Sequence, residues 1–216
     1  FVMKTYYFTP ENIAKKARSM QADFLRGRVK FDRRHSALLI LDMQDYFLSA
    51  DSHAYIPSAQ AILPRLNALR ETYMTQGLPI VWTRHLNTDQ DASSMSRWWR
   101  DVIERENPLS EISSALDTSS GIVIEKTQYD AFYKTDLEAD LREKDVRQIV
   151  ISGVMTHLCC ETTARSAFMR GFDVFFLVDG TATYNEDFHR ATLRNLSHGF
   201  ANLVLYDEII PSLNGA

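Results

Sequence analysis

The 216-residue sequence is poor in cysteine: it has two, and they are neighbours, Cys159 and Cys160. Two thiols build neither a disulfide framework nor a four-ligand metal site. Long hydrophobic runs are also missing. The longest, such as VFFLV at 174–178, fall far short of the ~20 residues that cross a bilayer. The opening stretch FVMKTYYFTPENIAKKARSM lacks the apolar core of a signal peptide. There is no excess of basic charge, since 24 Lys and Arg stand against 28 Asp and Glu for a net charge of −4. A nucleic-acid or anionic-membrane surface needs a clustered positive excess, so both partners are disfavoured. With no repeats or low-complexity tracts either, the expectation is a soluble, cytoplasmic, single-domain protein, and no cofactor is expected.

What the chain does have is a set of six short aliphatic runs: SALLIL (36–41), PIVWT (79–83), GIVIE (121–125), RQIVIS (147–152), DVFFLV (173–178) and NLVLY (202–206). None alternates polar with apolar, as expected for strands buried on both faces of a parallel sheet. Helical patterns lie between them. In 57–76 apolar residues recur at Ile62, Leu66, Leu69 and Tyr73, and Gly77 follows as a stop. TDLEADLREK (135–144) opens with Thr and Asp and ends in basic residues, as the helix dipole prefers. NEDFHRATLRNLSH (185–198) opens with Asn185, a good N-cap. Strands alternating with helices predict a doubly wound α/β domain. Residues 1–33 read as an amphipathic helix and linker packed outside the sheet or against a second subunit. Region 85–118 is the least regular, with a helix expected around SMSRWWRDVIERE and loops that cover a cleft.

Open parallel sheets bind ligands beyond the carboxyl ends of their strands. Three reactive side chains follow strands directly: Asp42 after the first, Lys126 after the third, and Cys159 in the segment after the fourth. Each alone has an ordinary structural reading, as a helix cap, a solvated lysine or a small core residue. An acid, an ammonium and a thiol emerging from one sheet edge are a stronger signal.

The adjacent cysteines are separable by helix phase. With Thr156 as N-cap, a helix runs from His157 to about Arg170, with Gly171 beyond its end. Cys160, Ala164, Ala167 and Phe168 then form one apolar stripe facing the sheet, which makes Cys160 structural. Cys159 points about 100° away. It sits in the first turn, where the helix dipole favours a thiolate and free amides are suited to an oxyanion. In this arrangement Asp42 takes the thiol proton and returns it to a leaving amine, while Lys126 orients Asp42 and holds it ionised.

The segments LLILDMQDYF (38–47), EKTQYDAFYKTDLE (125–138), GVMTHLCCETTARSAF (153–168) and FFLVDGTATYNEDFHRATLRNL (175–196) closely resemble the isochorismatase-like hydrolase family. The resemblance covers about residues 34–208, which divides the chain into 1–33 and a hydrolase domain at 34–216. It implies a three-layer α/β/α sandwich on a six-stranded, mostly parallel sheet, with Asp42, Lys126 and Cys159 as catalytic residues. It further implies a cis peptide at Val154–Met155, whose amide joins that of Cys159 in an oxyanion hole of Met155 and Cys159. Nicotinamidases of this family carry an Asp and two His after the second strand. Here WTRHLNTDQDASS offers His85 alone, so no metal is expected and nicotinamidase proper is disfavoured. Isochorismatases usually have glycine where Cys159 stands, and a Trp-Gly-Pro-Gly run where this chain has WWRDVIE.

Gln44, Phe47, Tyr129, Phe132, Trp98 and Trp99 are the pocket candidates, aromatic walls suited to a small, flat substrate. His157, His189 and Asp179 are read as structural. Three functions compete: a cysteine hydrolase of a carboxamide, carbamoyl or ureido compound; a vinyl-ether hydrolase in which Asp42 is a general acid and Cys159 is dispensable; and an inactive binding or scaffold member. The family resemblance also implies a homo-oligomer.

Overall fold

A computed structural model describes residues 2–24, 27 and 29–215; part of the N-terminal linker, at 25, 26 and 28, lies outside the described residues. Six strands form one sheet: β1 (Ser36–Leu41), β2 (Ile80–His85), β3 (Ile122–Lys126), β4 (Gln148–Val154), β5 (Asp173–Ala182) and β6 (Asn202–Val204). All five neighbouring pairs are parallel, in the order β3-β2-β1-β4-β5-β6. Strand order therefore reverses between β1 and β4. With right-handed crossovers, that reversal puts the helix after β1 on one face and those after β4 and β5 on the other. These helices are α3 (Ala59–Thr75), α6 (Glu161–Met169) and α7 (Glu186–Gly199); α1 (Ile13–Ala22), α2 (Asp45–Leu48), α4 (Met95–Trp98), α5 (Leu137–Glu143) and α8 (Tyr206–Leu213) complete the set.

The burial of β1, β2 and β4 on both faces explains their unbroken apolar runs. β3 differs from expectation. As an edge strand it leaves Ile122 and Val123 exposed, and only Lys126 at its end is buried. The core is a single cluster that also takes in Tyr7, Phe8, Ile13, Ala17 and Met20, so the segment before β1 packs into the same interior as the sheet. Asn185 caps α7, its side chain accepting from the Phe188 amide at 3.0 Å. The helix expected around 94–106 is confined to the four residues of α4, and the chain beyond it is irregular up to β3. Among the described residues no helix is long and apolar enough to cross a membrane.

Candidate active site

The crevice at the strand-order reversal is where open α/β sheets place ligands, and the reactive side chains converge there. Asp42 immediately follows β1 and takes a left-handed conformation, φ 52°. Its amide donates to the Thr83 carbonyl and hydroxyl, and the Thr83 hydroxyl donates back to Oδ1 at 2.6 Å. The neighbouring strand β2 thus fixes both backbone and carboxylate. Across the crevice, Gly153 of β4 runs against Leu41 of β1, so close that a Cβ there would lie 2.2 Å from the Leu41 carbonyl oxygen. The next peptide, Val154–Met155, is cis.

The segment after it does not begin as the sequence predicts. Thr156 is not a cap; residues Thr156–Cys160 form a π turn, and the α-helix starts only at Glu161. Inside that turn the Met155 carbonyl accepts from the Leu158 and Cys160 amides at 3.1 and 3.2 Å, a pair that omits the intervening Cys159 amide. Both thiols are buried. Cys160 faces the sheet, its Sγ 3.9 Å from the Ser152 carbonyl.

Lys126, the last residue of β3, reaches into this site with its side chain wholly buried, as is that of Asp42. Its ammonium lies 2.8 Å from Asp42 Oδ2, 2.9 Å from the Gln128 carbonyl oxygen, 3.4 Å from His85 Nδ1 and 3.6 Å from Cys159 Sγ. Asp42, His85 and Cys159 each offer a ligand atom within 4.8 Å of the others, a set that would suit a metal ion. The Lys126 ammonium already sits among them as the compensating cation, so these residues fit a lysine-neutralised site better than a metal one.

Electrostatics follow from that packing. Burial alone would push the Asp42 carboxyl up, but the Lys126 ammonium holds it below the ordinary carboxylate range. Burial likewise works against the Lys126 charge, and Asp42 and Cys159 more than restore it. Burial and then the Asp42 charge raise the Cys159 thiol well above its usual value. The π turn leaves Cys159 buried beside a carboxylate, and both effects favour the neutral thiol, against the thiolate expected from the helix dipole. His85 is pushed down to about 4 by burial and by Lys126, so it is neutral near pH 7.

The tautomer of His85 follows from its partners. Asn87 Nδ2 donates to Asp91 Oδ1 (3.1 Å) and the Thr127 carbonyl (2.9 Å), which turns its Oδ1 towards His85 Nε2 at 2.8 Å. An oxygen acceptor there requires Nε2–H, which leaves a bare Nδ1 lone pair facing the Lys126 ammonium. Sequence reading gave His85 no role without metal-ligand neighbours; the signal present was its position at the end of β2, between the strands that carry Asp42 and Lys126.

Cys159 and Met155 open onto a cavity of about 300 Å³. Of the pocket candidates, Phe47, Tyr129 and Trp99 line it, and Trp99 Nε1 donates to the Tyr129 hydroxyl at 2.7 Å. Three do not. Gln44 is wholly buried, its amide bridging the His85 backbone and the Ser110 carbonyl, and so it serves as a backbone clamp. Phe132 is in the core, stacked against Phe172. Trp98, 79% exposed, points to solvent from the outer side of the short α4. The remaining walls come from residues without a sequence signal: Tyr46, His53 and Ala54 after β1, Arg100 to Ile103 after α4, and Tyr184 after β5. His157 stacks on Phe188 and bonds Thr183, while Asp179 accepts from Arg65 and the Tyr206 amide; both hold the frame.

A buried acid, lysine and thiol thus meet at the switch point of a doubly wound parallel sheet, the arrangement of an isochorismatase-like hydrolase. The chain belongs to the isochorismatase family: the model of the Isochorismatase domain matches residues 36–208. It is 40% identical to Nicotinamidase 3 of Arabidopsis thaliana over 83% of this chain and 89% of that protein. Enterobactin synthase component B of Escherichia coli K12 is 29% identical over 84% of this chain and 65% of that protein. Among solved structures, a cysteine hydrolase from Pseudomonas syringae pv. phaseolicola 1448A superposes with a TM-score of 0.83 at 24% identity, covering 87% of this chain and 96% of that one.

Proposed function

We propose that this protein hydrolyses the C–N bond of a small, flat carboxamide through a Cys159 thioester. An aromatic amide of the nicotinamide kind is the leading substrate class, with carbamoyl and ureido compounds next. The observation that carries the reading is the placement of the Cys159 thiol beside an ionised Asp42 and the Lys126 ammonium, at the wall of an aromatic-lined cavity. A volume of about 300 Å³ is at the small end of ligand pockets. The missing metal run pointed away from nicotinamidase proper; the 40% identity to Nicotinamidase 3 brings aromatic amides back.

In the reaction, Sγ attacks the amide carbon as its proton passes to the Asp42 carboxylate. The carbonyl oxygen takes up the negative charge and is received by the amides of Met155 and Cys159. Collapse of this adduct breaks the C–N bond as Asp42 gives the proton to the departing nitrogen, which leaves a thioester. Water then attacks, Asp42 takes its proton, and the proton returns to sulfur as the carboxylic acid leaves. Lys126 keeps Asp42 ionised between steps, and the His85 lone pair, oriented by Asn87, accepts from the Lys126 ammonium; His85 is thus a positioning residue.

Membership of the isochorismatase family supports a second reading, vinyl-ether hydrolysis with Asp42 as acid. That chemistry starts from a protonated Asp42, whereas Lys126 favours the ionised form, so we rank it below the amide reading. Ammonia release from nicotinamide, benzamide and a ureido acid, measured for wild type and Cys159→Ala, tests the proposal. Loss of at least about 10³-fold in kcat is expected in the variant; comparable rates in the two would reject the thioester.

A further inference from the structure

Residues 3–8 lie outside the matched family domain, which begins at residue 36, yet they touch both sides of the cavity. The Lys4 ammonium donates to the His53 carbonyl oxygen and lies 4.4 Å above the ring of Tyr184. His53 comes from the loop after β1 and Tyr184 from the turn after β5; both line the cavity, and Lys4 touches both. The backbone supports the link. The Thr5 amide donates to the Tyr184 carbonyl at 2.8 Å, Asn185 Nδ2 donates to the Met3 carbonyl at 3.0 Å, and the Phe8 amide donates to the Ser58 hydroxyl at 3.0 Å.

Tyr7 anchors this segment beneath the catalytic turn. The Thr183 amide donates to its phenol oxygen at 3.1 Å, which leaves the phenol proton for His189 Nδ1, also at 3.1 Å. The same nitrogen is 3.1 Å from the hydroxyl of Thr156, the residue that follows the Met155 side of the proposed oxyanion hole. One short segment therefore ties the two cavity walls to each other and to the turn that carries Cys159.

We infer that residues 3–8 form a strap that sets the width of the substrate pocket, with Lys4 as a specificity-determining positioning residue that holds the His53 loop against Tyr184. This rests on the reading of the Cys159 cavity as the reaction site. The strap selects for small, flat acyl groups because the cation contact pins the loop across the cavity. Without it, His53 and Tyr184 separate and bulkier groups reach the thiol.

The test uses the full chain as wild type, Lys4→Met and Lys4→Arg. Each is alkylated with iodoacetamide and with the bulkier N-phenyl iodoacetamide, and the Cys159 peptide is quantified by mass. Methionine keeps the length of the stem and removes the charge, and Lys4 is only partly buried, so folding should persist and is checked by circular dichroism. Wild type should prefer the small reagent. Lys4→Met should weaken that preference by about fivefold, the factor that one cation–π contact of ordinary strength carries, and Lys4→Arg should restore it. The same ordering is expected in KM for a small amide. An unchanged reagent preference in Lys4→Met, or a Lys4→Arg protein that behaves like Lys4→Met, would overturn the strap. Alkylation needs no turnover: a wild type that hydrolyses no amide but shows the expected alkylation order defeats the hydrolase reading and leaves the strap standing.

Discussion

At the scale of single residues, the site is governed by a buried ion pair whose members each depend on the other. Taking Asp42 and Lys126 out of water is unfavourable, and their 2.8 Å contact offsets it only while both are present. Lys126→Met should leave Asp42 as an unpaired buried charge and destabilise the fold by about 3–5 kcal/mol. A denaturant titration measures this, and a loss below about 1 kcal/mol would mean that solvent reaches the carboxylate. The neutral thiol sets the pH behaviour. If Cys159 is protonated at rest and gives its proton to Asp42 during attack, kcat/KM should be flat from about pH 6 to pH 9. A thiol with the ordinary pKa of about 8.5 attacking as its resting thiolate would instead give a rate that climbs about tenfold per unit below that value. The two cysteines should separate cleanly: Cys160→Ala retains turnover within a few fold, since its sulfur fills core space against Ser152, while Cys159→Ala does not.

At the scale of elements, strand ends deliver the chemistry. That much was legible in the sequence, because uniform apolar runs mark strands buried on two faces and the residue after each run is exposed to the crevice. Asp42, Lys126 and Cys159 were singled out in this way, and the structure brings the three side chains together. The order of strands was not legible, since no run encodes its neighbour. It follows from the pairing of β1 with both β2 and β4. Nor were the π turn and the roles of Gln44, Phe132 and Trp98. Gln44 looks like a site residue because it follows Asp42 by two, but its amide is consumed by backbone groups of His85, at the end of β2, and of Ser110. The walls from Tyr46, Arg100 and Tyr184 are set by tertiary contacts of irregular segments, which leave no periodic trace. Gly153 shows the element-level constraint most sharply. At φ 104°, with no room for a Cβ against β1, Gly153→Ala should part the two strands that flank the crevice. A stability loss of roughly 3 kcal/mol or more, read from the denaturant midpoint, together with lost activity is expected; a variant of wild-type stability would show that the strands have slack there.

At the scale of the whole molecule, two buried histidines, His85 and His189, and the half-buried His157 should make the fold acid-sensitive. Burial lowers His85 to about 4, His157 to about 4 and His189 to about 3. The unfolded chain binds protons at these positions below about pH 6.5 while the folded one does not, so stability falls as pH drops from 6.5 towards 4. His85 alone accounts for a loss of about 3 kcal/mol across that window. Asp42, held low by Lys126, adds to the loss at more acid pH. Melting temperatures recorded from pH 7 to pH 4 should decline steadily, and a His85→Asn protein should decline less; identical slopes would place the acid sensitivity elsewhere.

The thioester is the central claim, and trapping it is the most direct measurement. Wild-type protein mixed with nicotinamide or benzamide, quenched in acid within the first turnovers and digested, is expected to show the Cys159 peptide heavier by one acyl group. The Asp42→Asn protein is expected to show none. Release of ammonia from wild type with no acyl adduct on Cys159 at any quench time, and undiminished release from Cys159→Ala, would contradict the account.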